Sequence, residues 1–224
     1  MSKLFIVPSP IGNLADITYR AVKVLEESEL ILAEDTRTSA VLLKHYNINK
    51  PLTPYHQHNE HKVLQHLLQQ LQAGKTMALL TDAGTPGVSD PGFLLVRECI
   101  RAGVPVECLP GATAFVPALV VSGIPMNRFT FEGFLPLKKG RHTLLTALSQ
   151  DERTIVFYES PQRLVKTLED LIQYFGAARP CCVCRELSKM FEEHARGSLE
   201  EVHAHFKDKG VKGEIVVIVG GSSS

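Results

Sequence analysis

The chain carries no surplus of either charge, no tryptophan, few aromatic residues and no long apolar run. Its 24 basic and 24 acidic side chains cancel over 224 residues. No global field therefore draws it to nucleic acid or to an anionic membrane, and any such partner must be held by a local patch. A membrane helix needs ~20 apolar residues, and the most apolar stretch, about Ala112 to Pro125, falls short and is interrupted by Pro117 and Gly123. The opening MSKLFIVPSPIG has too short an apolar run and too early a proline for a signal peptide. Five cysteines, an odd count without small-scaffold spacing, point to reduced thiols and a cytoplasmic home. There is no G-x-x-x-x-G-K-[ST] phosphate loop, no G-x-G-x-x-G after the first strand, and no internal repeat. With 44 % hydrophobic and 21 % charged residues, what remains is an ordinary globular balance, enough for one large domain or two small ones.

Strand and helix signals alternate. Runs at Lys3 to Val7, Leu30 to Ala33, Met77 to Leu80 and Val106 to Leu109 read as buried strands. Between them lie helical patterns: Thr18 to Glu27 with Asp16 as cap, about Thr38 to His45, Glu60 to Ala73 and Phe93 to Ala102. The segment NINKPLTPYHQHN reads as a polar loop. Strands without alternation, separated by helices, predict a parallel sheet covered on both faces. An apolar helix to about Ser122 and a strand at Phe129 to Gly133 follow. FLPLKKGR then breaks the pattern, placing a domain boundary near Leu135. Beyond it come a helix to Ser149, strand Thr154 to Tyr158, a helix from Pro161 to Phe175, the runs CCVCRE and FEEHARG, a helix from Ser198 and strand EIVVIV. Short connections there predict a mixed sheet. The expectation is α/β: an N-terminal domain over 1–135 with a parallel, Rossmann-like sheet, a C-terminal domain over 136–224, and a ligand cleft between them.

The strongest chemical signal is Thr81-Asp-Ala-Gly-Thr-Pro-Gly-Val-Ser-Asp-Pro-Gly92. It leaves the carboxyl end of a parallel strand, where open α/β sheets bind ligands. Its glycines and prolines let bare backbone approach a ligand in one fixed shape. Lacking a phosphate cradle, such a loop suits a nucleoside-like ligand with little negative charge. Pro8 to Gly12 and Pro110 to Ala114 leave two more strands on that rim, and the three loops together describe a pocket. Glu34-Asp-Thr-Arg37 leaves the same edge. It can orient a polar substrate or take a proton, or Asp35 or Thr36 can simply cap a helix. His56, His58, His61 and His66 crowd one segment without completing a zinc spacing. Cys181, Cys182 and Cys184 read as packing thiols. Lys138, Lys139, Arg141 and His142 form the one dense basic run, either a solvated linker or a patch for phosphates.

Taken together the motifs resemble a known family. SPIGNLADI at Ser9 to Ile17, AEDTR at Ala33 to Arg37, HNE at His58 to Glu60 and DAGTPGVSDPG at Asp82 to Gly92 match the bacterial 16S ribosomal RNA (cytidine-2'-O)-methyltransferases. So do LPGATA, FEGFLP at Phe131 to Pro136, FYESPQRL at Phe157 to Leu164, REL at Arg185 to Leu187 and GEIVVIV. That family falls in the tetrapyrrole-methylase-like class of S-adenosylmethionine enzymes.

The resemblance implies two α/β domains with the methyl donor in their cleft, a homodimer, and methylation of a cytidine ribose 2'-hydroxyl in the small ribosomal subunit; no metal is expected, because the sequence offers no apparent ligand set. Donor contacts carried over are Gly84, Thr85, Pro86, Val88, Thr113 and Ala114, with Tyr158, Gly213 and Glu214 from the second domain. Relatives acting on tetrapyrroles have Gly-Asp-Pro where this chain has Gly84-Thr85-Pro86, so Asp82 or Asp90 is expected beside the cationic sulfonium. Asp35 is expected to accept or orient the hydroxyl proton, with Glu34 beside it. Arg37 is expected to contact a phosphate or oxyanion, and Lys138, Lys139 and Arg141 to touch RNA phosphates. The RNA-modifying branch commonly has a small extra C-terminal domain beyond the point where this sequence reads GGSSS. Three rival readings share parts of this pattern. A tetrapyrrole-type small-molecule methyltransferase is opposed by the AEDTR and SPIGNL loops, and a non-catalytic RNA-binding module by the ligand-type loops and the lack of aromatic-rich strands. A nicotinamide oxidoreductase lacks its fingerprint.

Overall fold

The computed structural model of the protein describes residues 2–223, and its contacts divide them into two units, one ending at Thr113 and the other beginning at Ala114. The first unit alternates strand and helix. Its elements are β1 (Lys3–Ile6), α1 (Tyr19–Glu27), β2 (Leu30–Ala33), α2 (Thr36–His45), β3 (Leu52–Pro54), α3 (Glu60–Gln72), β4 (Thr76–Leu80), α4 (Phe93–Arg101) and β5 (Val106–Cys108). They form a five-stranded sheet in the order β3-β2-β4-β1-β5, with every pairing parallel. Side chains alternate across it. Leu4, Ile6, Met77 and Leu79 meet Leu64, Leu67 and Leu71 of α3 and Leu94, Leu95 and Cys99 of α4. Val7, Ile31, Ala78 and Leu80 meet Ala21, Val24 and Leu25 of α1 and Leu42 and Leu43 of α2 on the other face. Each fully buried Leu, Ile, Val or Met among them contributes ~1.5–3 kcal/mol.

This winding has a consequence for ligands. β4 sends its chain to α4 on one face, while its neighbours β1 and β2 send theirs to α1 and α2 on the other. Such a reversal opens a crevice outside the carboxyl ends of the strands, the usual ligand position in open α/β sheets.

The second unit holds α5 (Phe115–Ser122), β6 (Phe129–Phe134), α6 (Arg141–Ser149), β7 (Thr154–Glu159) and α7 (Leu164–Phe175). β8 (Pro180–Arg185), β9 (Glu193–Ser198), α8 (Leu199–Lys207) and β10 (Ile215–Val219) complete it. Its sheet, β6-β7-β10-β8-β9, is mixed as expected: β6 and β7 are parallel and the other pairings antiparallel. α6, α7 and α8 cover one face around Phe157, Val183 and Val217, and α5 packs on β7, β8, β9 and β10.

Several local expectations are corrected. The contacts divide the chain at Thr113/Ala114 rather than near Leu135, because α5 packs on the second sheet and β6 is a strand of it. β3 lies inside the segment read as a polar loop. α1 is capped by Thr18, whose hydroxyl accepts from Ala21 N, while Asp16 closes a short 3-10 turn capped by Asn13. α7 starts at Leu164, so Pro161 lies in the turn before it. Ser198 and Glu201 form a reciprocal capping box at the start of α8, a tidy N-terminus of the kind Ser-x-x-Glu encodes.

Candidate active site

Three loops of the first unit are tied together at the carboxyl edge of its sheet. Ser9, just past β1, exchanges two backbone hydrogen bonds with Gly84, just past β4: Ser9 N donates to Gly84 O at 2.9 Å and Gly84 N to Ser9 O at 3.0 Å. Ser9 Oγ donates to Thr81 O at 3.0 Å. Thr85 Oγ1 donates to Ala112 O, past β5, at 2.9 Å. The three loops inferred from sequence thus form one rim, and the ties between them sit on the β1–β4 side of the crevice.

Two glycines are required by this knot. Gly84 has φ +82°, a left-handed conformation in which a side chain is strained. Gly111 is needed for proximity, since a Cβ there would lie 2.5 Å from Pro8 Cβ and 2.7 Å from Pro8 Cγ.

The loop from Thr81 to Gly92 contains no lysine or arginine. Gly84 and Pro86 are buried, and Thr85 and Val88 are half-buried. The Thr81 hydroxyl is buried with no hydrogen-bonding partner in the chain, an orphan that sequence reading missed. Buried hydroxyls are normally satisfied, so this one is a group that a ligand can complete. Backbone polar groups, one spare hydroxyl and nearby carboxylates fit a nucleoside carrying a positive charge.

The Glu34–Arg37 cluster sits on the β2–β4 side of the same crevice. Asp35 N donates to Asp82 Oδ1 at 3.2 Å, and Asp82 N approaches Glu34 Oε2 at 3.5 Å, so the two loops hold each other through carboxylates. Burial raises the Glu34 carboxyl above its ordinary 4.5, with the Asp82 charge adding to the effect. Burial likewise raises Asp82 above 3.8, helped by the charge of Asp35.

Asp35 is different. It caps α2, accepting from Arg37 N at 2.8 Å, and grips the Arg37 guanidinium at 2.6 Å from Nη2 and 3.1 Å from Nε. The Arg37 guanidinium and N–H hold this carboxyl down to about 2. Of its two expected roles the structure displays capping, and a carboxylate so acidic is a poor proton acceptor. The Arg37 side chain itself stays 90 % exposed.

The remaining expected residues lie in other places. Thr113 ends the first unit and Ala114 begins the second. Tyr158 is half-buried on β7, its ring 5.1 Å from that of Phe131 and 5.7 Å from that of Phe134. Gly213 and Glu214 lead into β10. Glu214 N donates to Glu186 Oε1 at 2.9 Å, and Lys189 Nζ bridges Glu186 and Glu214 at 2.8 and 3.0 Å. Lys138 and Lys139 are exposed.

Arg141 leaves the expected basic patch. Its side chain is 13 % exposed and points inward to Asp170, Pro136 O and Thr167, because a partly buried guanidinium needs acceptors for its donors. His56 and His58 face each other edge to plane at 5.9 Å. Among the described residues no group of three or more His, Cys, Asp or Glu is placed to hold a metal, and no helix is long and apolar enough to cross a membrane.

Comparison with known proteins bears on this geometry. The model of the tetrapyrrole (corrin/porphyrin) methylases matches residues 3–203. The "Ribosomal RNA small subunit methyltransferase I" of Thermotoga maritima is 48 % identical over 221 residues, covering 99 % of this chain and 99 % of that protein. The protein of the same name from Synechocystis is 48 % identical over 224 residues, covering all of this chain and 80 % of that one. Among solved structures, the Thermus thermophilus uroporphyrin-III C-methyltransferase complexed with S-adenosyl homocysteine superposes with a TM-score of 0.67. It is 24 % identical, over 99 % of this chain and 98 % of that one.

Proposed function

The chain belongs to the tetrapyrrole (corrin/porphyrin) methylase family and is an S-adenosylmethionine-dependent methyltransferase, and we propose that its substrate is 16S ribosomal RNA, methylated on a cytidine ribose 2'-hydroxyl. The observation that carries the donor side is the knot of Ser9, Gly84, Thr85 and Ala112 at the switch of the parallel sheet. The relatives named for ribosomal RNA carry the substrate side, at 48 % identity across nearly the whole chain. S-adenosylmethionine supplies an already activated methyl group on a sulfonium, so the protein's task is orientation and electrostatics.

The residues divide that task. Gly84, Pro86 and Val88 present backbone and apolar surface to the nucleoside, and Thr85, tied to Ala112, keeps the loop in place. The orphan Thr81 hydroxyl has a polar group to complete. Asp82 supplies negative charge for the sulfonium. Thr113, Ala114, Tyr158, Gly213 and Glu214 are proposed as the donor's remaining contacts. The ribose hydroxyl must lose its proton as it takes the methyl group. Glu34, whose carboxyl is kept more basic by burial, is assigned that proton, in place of Asp35. Asp35 aims Arg37, whose exposed planar fork suits an RNA phosphate. The proposal places the enzyme in the cytoplasm as a homodimer acting on the small ribosomal subunit.

The test is transfer of labelled methyl from S-adenosylmethionine into unmodified 16S rRNA. A 2'-O-methyl group removes the nucleophile of alkaline cleavage, so the labelled cytidine should survive alkali as an uncut dinucleotide. Absence of label, or label released on a free nucleotide methylated at the base, refutes the reading. Label entering uroporphyrinogen III instead would favour the small-molecule alternative.

A further inference from the structure

The segment joining β6 to α6 rests on a buried ionic network with no part in the site described above. Glu159, at the end of β7, has a fully buried side chain. One of its oxygens accepts from Ser160 N at 2.7 Å and lies 3.3 Å from Arg163 Nε, and the other accepts from Thr167 Oγ1 at 2.7 Å. Arg163 then donates from Nη2 to Leu135 O at 2.8 Å. Arg141 donates to Thr167 Oγ1 at 3.0 Å, to Asp170 Oδ2 at 2.9 Å and to Pro136 O at 3.0 Å. Lys166 reaches Asp170 Oδ1 from the surface at 3.1 Å. Two guanidinium groups thus grip consecutive carbonyls, those of Leu135 and Pro136, from beneath.

What the grip presents is the next four residues. Leu137 is 71 % exposed, Lys138 and Lys139 are exposed, and Gly140 turns the chain with φ +81° before Arg141 N closes back on Lys138 O at 3.2 Å. From Phe134 to Gly140 the sequence contains no acid. A solvated linker needs no such foundation, because burying paired charges carries a desolvation penalty that an ordinary surface turn avoids. Holding a loop in one shape in advance instead reduces the ordering cost when it binds a partner.

We propose that Leu137–Gly140 is a preorganised RNA-docking finger, with Lys138 and Lys139 on two phosphates and Leu137 against a ribose or base, and with Arg141 as a positioning residue that fixes the finger through Pro136 O without touching RNA. The proposal rests on the ribosomal RNA reading above. Two adjacent cations with no acid beside them match a polyanion, and an exposed leucine between backbone contacts suits the apolar face of a nucleotide.

The experiment measures binding of the full chain to unmodified 16S rRNA and to unmethylated small ribosomal subunits over a range of salt, with S-adenosylmethionine affinity and thermal unfolding as controls. The variants are Lys138→Ala/Lys139→Ala, Leu137→Ser and Arg141→Lys. Loss of two phosphate contacts should lower the log–log salt slope by about 1.4 to 1.8. Leu137→Ser should weaken binding without changing the slope. Arg141→Lys keeps the charge and loses the fork, so a direct phosphate contact would survive it. Positioning instead requires that RNA affinity fall at temperatures where the variant is folded, with donor affinity unchanged.

A double-lysine variant with an unaltered salt slope overturns the finger. So does an effect seen on subunits but absent on naked rRNA, which would assign the loop to a protein surface. Arg141→Lys that merely unfolds earlier, with normal RNA affinity when folded, overturns the positioning role. The lysines and Leu137 are exposed, so their variants test the finger even if Arg141→Lys does not fold. If the wild-type chain places no methyl group in 16S rRNA, the functional reading itself has failed, which is a different result from any of these.

Discussion

Substituting Gly111 by alanine tests whether the knotted loops form the donor site. The new Cβ would lie 2.5 and 2.7 Å from Pro8 Cβ and Cγ, against ~3.5–4.0 Å for carbon atoms in comfortable contact. The β1 and β5 loops must therefore part by about 1 Å. Pro8 is buried, and Ser9 beside it is bound to Gly84 and Thr81, so the strain cannot dissipate into solvent. Overpacking of this kind costs ~1–3 kcal/mol. At ~2–4 °C per kcal/mol for a chain of this size, Tm should fall by roughly 2–12 °C. If two backbone hydrogen bonds to the donor are lost at ~0.5–1.5 kcal/mol each, S-adenosylmethionine Kd should rise about five- to 150-fold. Calorimetric titration and thermal melts read both numbers. Pro8→Gly removes the opposing atoms, so the double variant should be less destabilised than the sum of the singles, a coupling that a double-mutant cycle isolates. Normal donor affinity in a folded Gly111→Ala protein, or strict additivity in the cycle, would refute the reasoning.

Two predictions concern the carboxylates. Burial raises the Glu34 pKa, so its contribution to stability is complete below the ordinary 4.5 and is lost as pH rises through the raised value. Glu34→Gln, neutral throughout, should therefore match wild type near pH 4 and melt higher at pH 7, while turnover falls by ~10²–10⁴ if this group takes the ribose proton; a lower Tm at pH 7 would contradict the first half and wild-type turnover the second. Asp35 behaves oppositely: its pKa is lowered to about 2, so its contribution is present above the ordinary 3.8 and disappears as pH falls toward 2. Asp35→Asn still caps α2, since asparagine caps about as well as aspartate, and should keep turnover within a few-fold of wild type. A ~10²-fold loss there would return the proton to Asp35.

What was readable in the sequence was whatever depends on neighbours in the chain. The strands at Lys3, Leu30, Met77 and Val106 announce themselves as apolar runs because both faces of their sheet are covered. The Thr81–Gly92 loop does so because glycine and proline at a strand's end have few other uses. β3 has three residues beside Pro51, too short for any period to register. The boundary was misplaced because α5 is apolar nearly all round, and its sequence does not say which sheet covers it. The reading of Arg141 failed for the same kind of reason. In a run with Lys138 and Lys139 its charge suggests a partner outside the protein, yet besides the nearby Pro136 carbonyl its acceptors are Thr167 and Asp170, 26 and 29 residues away.

The same limit governs the acidic cluster. AEDTR shows three charges within four residues, but only the adjacency of β2 and β4 brings Asp82 against them. Burial, with the Asp82 charge adding to it, keeps the Glu34 carboxylate basic, while Arg37 in the same run keeps Asp35 acidic. Chemistry at this edge is therefore a property of the strand order β2-β4-β1: one side of β4 gathers the backbone knot at Gly84, and the other gathers the carboxylates at Glu34. A single strand between two others that wind the opposite way thus sets the proposed donor loop and the proposed proton acceptor on either side of itself. Their spacing is then held by sheet hydrogen bonds rather than by either loop alone.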